Sequence, residues 1–221
     1  ALMAGELINR DKGRIELEPA TRYDGQRMWL GKDGREREVT PPPGPEGCPA
    51  LQVLVPALAQ AGAFPDWIGY LSTIGVYGDH QGAWIDEDTA PSPVSGRSQG
   101  RLAVEEAWLA LGRETGKPVQ VFRLSGIYGP GRNPIVKLRE GKSQRIIKPG
   151  QVFNRIHVDD IATTLLASID KPRGGAVYNV TDDEPTPPQV VTEYAAKLAG
   201  LPPAVVEAAR GAGDGLVILV G

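Results

Sequence analysis

The apolar run Trp67-Ile-Gly-Tyr-Leu71 breaks into Ser72-Thr73 and then into a glycine-rich turn ending at Gly78. A run of this kind predicts a strand in the middle of a sheet, covered on both faces. Upstream, Leu51, Val53, Leu54, Leu58 and Ala61 fall on one helical stripe closed by Gly62, with Pro56 predicting a kink or a restart. Downstream, the polar loop from His80 to Pro93 leads into a predicted helix, Arg101 to Arg113. Its apolar positions are Leu102, Trp108, Leu109 and Leu111, with Glu105 and Glu106 expected to face outward. Gly116-Lys-Pro118 ends that helix, and Val119 to Leu124 reads as a second buried strand followed by a loop, Gly126 to Gly131.

Further elements follow in the same rhythm. A short helix is predicted from Ile135 to Glu140, and strand pieces at Arg145–Ile147 and Val152–Phe153. Asp159-Asp160 is the expected N-cap of a helix from Ile161 to Ser168. Ala176 to Val180 reads as a strand, and Pro188 to Leu198 as a helix stopped by Gly200. Strands alternating with helices argue an α/β protein with a parallel sheet. The apolar tail Leu216-Val-Ile-Leu-Val220 reads either as a strand or as an exposed stub.

The first 47 residues differ in kind. Eight basic and eight acidic side chains fall within the first forty positions, around short apolar islands at Ile15–Leu17 and Met28–Leu30. Asp24-Gly25 and Asp33-Gly34 favour hairpin turns, so two small hairpins and a poorly ordered polar lead are equal readings. Pro41-Pro-Pro-Gly-Pro45 marks a boundary. The division is therefore residues 1–47 as a polar lead, 48–200 as the core, and 201–221 as an atypical tail. Because the odd composition is confined to the ends, we expect a fragment, or a reading frame altered at both ends.

Composition narrows the function classes. The 221 residues carry a net charge of −3 with a pI of about 5.5, so nothing suggests nucleic acid or an acidic membrane as partner. Cys48 is the single cysteine, which excludes a disulfide within one chain and fits a reducing, cytoplasmic setting. No run of apolar residues is long enough to cross a membrane. Asp159-Asp160 has no third ligand at metal spacing, so capping is the better account and no metal is expected.

Four segments in order carry a resemblance: Ser72-Thr-Ile-Gly-Val-Tyr-Gly78, Phe122-Arg-Leu-Ser-Gly-Ile-Tyr-Gly-Pro-Gly131, Arg155-Ile-His-Val-Asp-Asp-Ile-Ala162 and Tyr178-Asn-Val180. Together they resemble the extended short-chain dehydrogenase/reductases, the NAD-dependent epimerase/dehydratase group. Val76-Tyr-Gly-Asp79 and Lys148-Pro-Gly-Gln-Val-Phe153 look like an atypical bacterial branch of it. The resemblance implies a partial Rossmann-type parallel sheet flanked by helices, with remnants of a small substrate lobe. It implies NAD or NADP as cofactor and a small polar, sugar-like metabolite as substrate, and it is compatible with a homodimer built through long helices. The implied activity is that of an oxidoreductase or epimerase/dehydratase.

Carried over residue by residue, Thr73 takes the catalytic hydroxyl position. The Tyr and Lys of the group's Tyr-x-x-x-Lys pair fall on Arg97 and Arg101. A guanidinium stays protonated, so Arg97 cannot exchange a proton, while Arg101 can still hold a ribose or phosphate. Tyr77, Tyr128 and His157 are left as proton carriers. The resemblance places Ser72, Thr73, Arg101, Leu124 and Gly126 at the cofactor, and Tyr128, Arg155 and His157 at the substrate. Each has a plainer reading: Thr73 as a strand end bonded to backbone, Arg97 and Arg101 as solvated, His157 as a link between elements, the tyrosines as buried and paired. The group's Gly-x-x-Gly-x-x-Gly pyrophosphate loop has no counterpart in residues 1–66. A protein that binds a nucleotide or a partner without catalysis, or an inactive fragment, is the alternative.

Overall fold

The computed structural model describes residues 7–9, 13–15, 27–30, 36–39, 47–143, 145–147, 150–202, 206–208 and 219–220. The chain divides into two units, Ala1–Ala63 and Phe64–Gly221. In the first, β1 (Leu7–Asn9) pairs antiparallel with β2 (Gly13–Ile15), and β3 (Arg27–Leu30) with β4 (Glu36–Val39). Of the two readings of the lead, paired strands are thus the one found among the described residues. Both Asp24-Gly25 and Asp33-Gly34, where hairpin turns were expected, lie outside the described residues. A π-turn at Ala50–Leu54 runs into α1 (Val55–Ala61). Pro56 sits in the first turn of α1, where a missing N–H is harmless, so the helix restarts there.

The second unit is built on a parallel sheet of order β11-β7-β5, with β5 Ile68–Thr73, β7 Val119–Leu124 and β11 Val177–Val180. Between β5 and β7 come β6 (Trp84–Ile85) and α2 (Gly96–Thr115). After β7 follow β8 (Gly126–Tyr128), α3 (Pro134–Arg139), β9 (Arg145–Ile147), β10 (Arg155–His157) and α4 (Val158–Asp170). Beyond β11 lie α5 (Pro188–Ala199), β12 (Val206–Ala208) and β13 (Leu219–Val220). The tail therefore ends as a strand, pairing parallel with β6. Val152–Phe153 forms a single bridge, Phe153 with Thr186, instead of a strand.

The strand alternation gives the sheet two different faces. On one, Phe122, Leu124 and Val180 pack with Ile156 and Ile161, and Leu71, Trp67, Tyr178 and Leu165 close the cluster. On the other, Tyr70 stacks on Trp108 of α2 with ring centroids 6.4 Å apart. Every residue of β7 is buried, whereas β5 is mostly half-buried. Among the described residues β5 pairs with β7 alone.

Four local expectations also change. Helix α2 begins at Gly96, five residues early, because the Ser95 side chain accepts the Ser98 N–H and caps it there. Glu105 faces inward, its negative charge matched by Arg123 across the helix–sheet interface. The cap of α4 is His157, not Asp159-Asp160; both aspartates lie in the first turn, where they favour the helix dipole. Residues Gly126–Tyr128, expected as loop, form β8 and pair parallel with β10. The turn at Gly78 requires glycine, since φ is +77° and an added Cβ would run into the Ser92 carbonyl.

Candidate active site

The three parallel strands end level. Thr73 is in register with Leu124, and Leu124 with Val180. Carboxyl ends of parallel strands are where open α/β sheets bind ligands, so the segments that follow them form the candidate site. The Thr73 Oγ1 accepts the Gly75 N–H at 3.1 Å, capping the short turn Ile74–Val76. That bond uses a lone pair and leaves the hydroxyl proton free to donate. An added Cβ on Gly75 would stand 3.4 Å from Thr73 Oγ1 and 3.5 Å from Ser98 Oγ, so these two hydroxyls flank the glycine. Ser72 and Ser125 are buried, and their hydroxyl oxygens have no partner among the described residues. Leu124 has its side chain in the core, and Gly126 donates its N–H to the Asn154 carbonyl at 3.1 Å.

Arg97 is exposed on the first turn of α2. Arg101, one turn later, donates from Nη2 to the Leu71 carbonyl at 3.1 Å, and its guanidinium lies 5.4 Å from the centre of the Tyr70 ring. The structure thus places Arg101 against the β5 backbone, while Arg97 remains in solvent.

Tyr77 is fully buried in a polar chain that sequence reasoning missed. Its hydroxyl donates to Asn179 Oδ1 at 2.9 Å, and its ring lies 4.7 Å beneath the Arg123 guanidinium. Arg123 holds Glu105 through Nη2 at 2.8 Å and Nε at 3.1 Å, and the exposed Glu87 accepts the Asn179 backbone N–H at 2.7 Å. Burial pushes the Tyr77 phenol above its ordinary range, against the opposing pull of Arg123 and Asn179. For Arg123, burial disfavours the charge, but the Glu105 hydrogen bond and charge outweigh it and raise the guanidinium further. A phenol so held is a poor proton carrier. The signals available in the sequence were Arg123 beside Leu124 and Glu105 inside the helix; no spacing rule links them.

Tyr128, Arg155 and His157 do come together. β8 and β10 pair with Tyr128 opposite His157, and the two rings meet edge to face at 5.1 Å. Arg155 is pinned through Nη1 to the Phe153 and Thr186 carbonyls at 3.0 and 3.1 Å. Asp182, unmarked by any motif, joins them just beyond β11. Burial first, then the charge and hydrogen bond of Asp182, raise the Tyr128 phenol. Burial lowers the Arg155 guanidinium, with Asp182 and Tyr128 acting in opposition. His157 Nδ1 accepts the Asp159 N–H at 3.2 Å, so a neutral imidazole carries its proton on Nε2. No group of three or more metal-ligating side chains occurs among the described residues, and no helix there is long and apolar enough to cross a membrane.

Comparison with known proteins agrees with the α/β architecture. The profile of the NAD dependent epimerase/dehydratase family matches residues 52–181. Protein YeeZ of Escherichia coli (strain K12) is 30% identical over 97% of this chain and 77% of its own length. Among solved structures, a functionally unknown conserved protein from Silicibacter pomeroyi DSS superposes with a TM-score of 0.73 at 48% identity, over 81% of this chain and 65% of that one. The dTDP-glucose 4,6-dehydratase of Bacillus anthracis str. Ames, in complex with NAD, superposes with a TM-score of 0.64 at 23% identity, over 76% of this chain. That match covers 56% of the dehydratase, so the chain spans less than two thirds of either solved protein. By profile, sequence identity and fold alike, the chain belongs to the NAD-dependent epimerase/dehydratase family.

Proposed function

We propose that this protein is an NAD(P)-linked oxidoreductase or epimerase/dehydratase-like enzyme acting on a small, polar, sugar-like metabolite at the carboxyl edge of the β11-β7-β5 sheet. The observation that carries the reading is the level ending of the strands at Thr73 and Leu124, with Tyr128, Arg155, His157 and Asp182 on the segments beyond. When bound, the cofactor would supply hydride transfer. Thr73 would donate its free hydroxyl proton to a substrate oxygen, and Ser72, Ser125, Leu124 and Gly126 would line the nicotinamide side. Arg155, already fixed by two backbone carbonyls, would orient a substrate hydroxyl or carbonyl with its remaining donors. Proton exchange would fall to His157 Nε2 or the Tyr128 hydroxyl, because Tyr77 is committed and Arg97 cannot release a proton.

Titration with NADH or NADPH, followed by nicotinamide fluorescence and thermal shift, tests the cofactor. A saturable shift by about millimolar concentration is expected, and its absence in folded protein overturns the reading. A second reading, a non-catalytic nucleotide- or partner-binding protein, is favoured by the arginines at positions 97 and 101 and by the Arg101 bond to Leu71. It predicts that Arg101→Ala weakens anion binding while no turnover exists to be lost. A homodimer remains part of the proposal, to be tested by sedimentation.

A further inference from the structure

We propose that Thr73 and Ser98 are paired donors to one substrate oxygen, seated in the gap that Gly75 leaves between them, and that this oxygen is the carbonyl of a small ketone or aldehyde. The proposal rests on the reading of this strand end as a substrate site and adds Ser98 to it. Gly75 lies in the middle of the turn Ile74–Val76 that follows β5. A Cβ added there would stand 3.4 Å from Thr73 Oγ1 and 3.5 Å from Ser98 Oγ, with Thr73 Cγ2 next at 3.7 Å. The two oxygens come from different elements, Thr73 from the end of β5 and Ser98 from the first turn of α2. An O–H···O bond spans about 2.7–2.8 Å, so an oxygen entering at that point moves by less than about 1 Å to meet either hydroxyl. Such bonds are long in a free protein and tighten on the ligand.

Both hydroxyls keep a proton to give. Thr73 Oγ1 accepts the Gly75 N–H at 3.1 Å. Ser98 Oγ accepts the Ser95 hydroxyl at 3.0 Å, while Ser95 Oγ accepts the Ser98 N–H at 3.1 Å and so caps α2. Each bond uses a lone pair on Thr73 or Ser98 and leaves its O–H to donate. A carbonyl oxygen has two lone pairs and takes both donors, which stabilise the charge it gains on becoming an alkoxide. Arg101 is turned to the Leu71 carbonyl, so the donors at the gap are neutral, which suits a carbonyl better than a phosphate.

The fold makes no other demand for glycine at position 75. Its φ lies outside the left-handed region, and an added methyl would meet no atom closer than 3.4 Å. At Gly78, by contrast, the Ser92 carbonyl excludes any side chain. Alanine is more stable than glycine in a helical turn, so stability alone favours alanine at 75. What alanine would do is fill the gap between the two hydroxyls.

The test titrates the ¹⁵N-labelled full chain with dihydroxyacetone, and separately with inorganic phosphate, up to about 100 mM, well above the millimolar range of a weak small ligand. The reporters are the Gly75 and Ser98 amides, bonded to Thr73 Oγ1 and Ser95 Oγ. Dihydroxyacetone should shift both amides saturably. Ser98→Ala should weaken that binding about fivefold or more. Gly75→Ala should abolish it with a urea midpoint equal to or above that of wild type. The proposal is overturned by folded wild type whose two amides do not respond, by Ser98→Ala binding as wild type does, by Gly75→Ala that still binds, or by phosphate binding the tighter. The last would give the gap to an anion. Should Ser98→Ala not fold, Gly75→Ala decides alone. No cofactor is present, so a failed NADH titration leaves these outcomes standing, and a failed seat leaves the NADH titration standing.

Discussion

Arg123 on β7 and Glu105 on α2 form a buried, doubly bonded ion pair, with side chains 6% and 1% exposed and a shortest contact of 2.8 Å. It fastens the helix to the sheet directly behind the strand ends. Removing one partner leaves a buried charge alone, which costs about 3–5 kcal/mol, more than the pair itself contributes. Glu105→Ala and Arg123→Met are each expected to lose about that much in urea unfolding. The double variant Glu105→Leu/Arg123→Met should recover most of the loss. Additive losses in the cycle would show that the two side chains do not act as a pair.

The phenol above which Arg123 sits makes stability depend on alkaline pH. Tyr77 has a folded-state affinity for its proton above the unfolded value of 10.0. The folded protein then binds more protons than the unfolded one in the window just above that value. The contribution is full below pH 10.0 and is lost as pH rises through the higher folded-state pKa. Tyr77→Phe removes this term together with the Asn179 bond, a net cost of about 1 kcal/mol near neutrality. Urea midpoints for wild type and variant should therefore converge as pH rises from about 9 to 11. Parallel curves across that range would sink the argument.

Much of the architecture could be read from the chain because the informative signals were local. Val119–Leu124 is largely apolar and follows Pro118, and Pro188–Ala199 runs from a proline to Gly200, so both elements lie close to where periodicity put them. Thr73 was singled out for the same reason: a hydroxyl at the end of an apolar strand. What escaped was pairwise and long-range. Glu105 looks solvent-facing until Arg123, 18 positions away, is placed beneath it, and Asn179 meets Tyr77 across 102 positions. Asp182 belongs to the candidate site only because β11 lies beside β7.

Glu87 is an exposed loop carboxylate, yet it accepts the Asn179 backbone N–H at 2.7 Å and so ties the loop after Tyr77 to the outer side of β11. A charge-assisted bond in a buried setting contributes about 1.5–3 kcal/mol, and exposure reduces this to about 1 kcal/mol or less. The expected result for Glu87→Ala is a small stability loss with faster hydrogen exchange concentrated at the Asn179 amide. Glu87→Gln, which keeps an acceptor, should exchange at an intermediate rate. Unchanged protection in both variants would remove Glu87 from this role.

His157 holds two positions at once, and they can be separated. Its Nδ1 caps α4 by accepting the Asp159 N–H, while its ring meets Tyr128 edge to face beside Arg155. Asparagine also caps helices well, whereas alanine does not, the difference being about 1 kcal/mol. His157→Asn should therefore keep wild-type stability in urea, and His157→Ala should lose about that amount. Neither asparagine nor alanine carries a side chain that can take up and release a proton. If the Nε2 proton is used in turnover, His157→Asn lowers the rate by about 10²-fold or more with its unfolding midpoint unchanged. A rate that follows stability across the two variants, with Asn active and Ala impaired, would make His157 a cap alone and leave the Tyr128 hydroxyl as the proton carrier. Tyr128→Phe in the His157→Asn background then decides whether either group moves the proton.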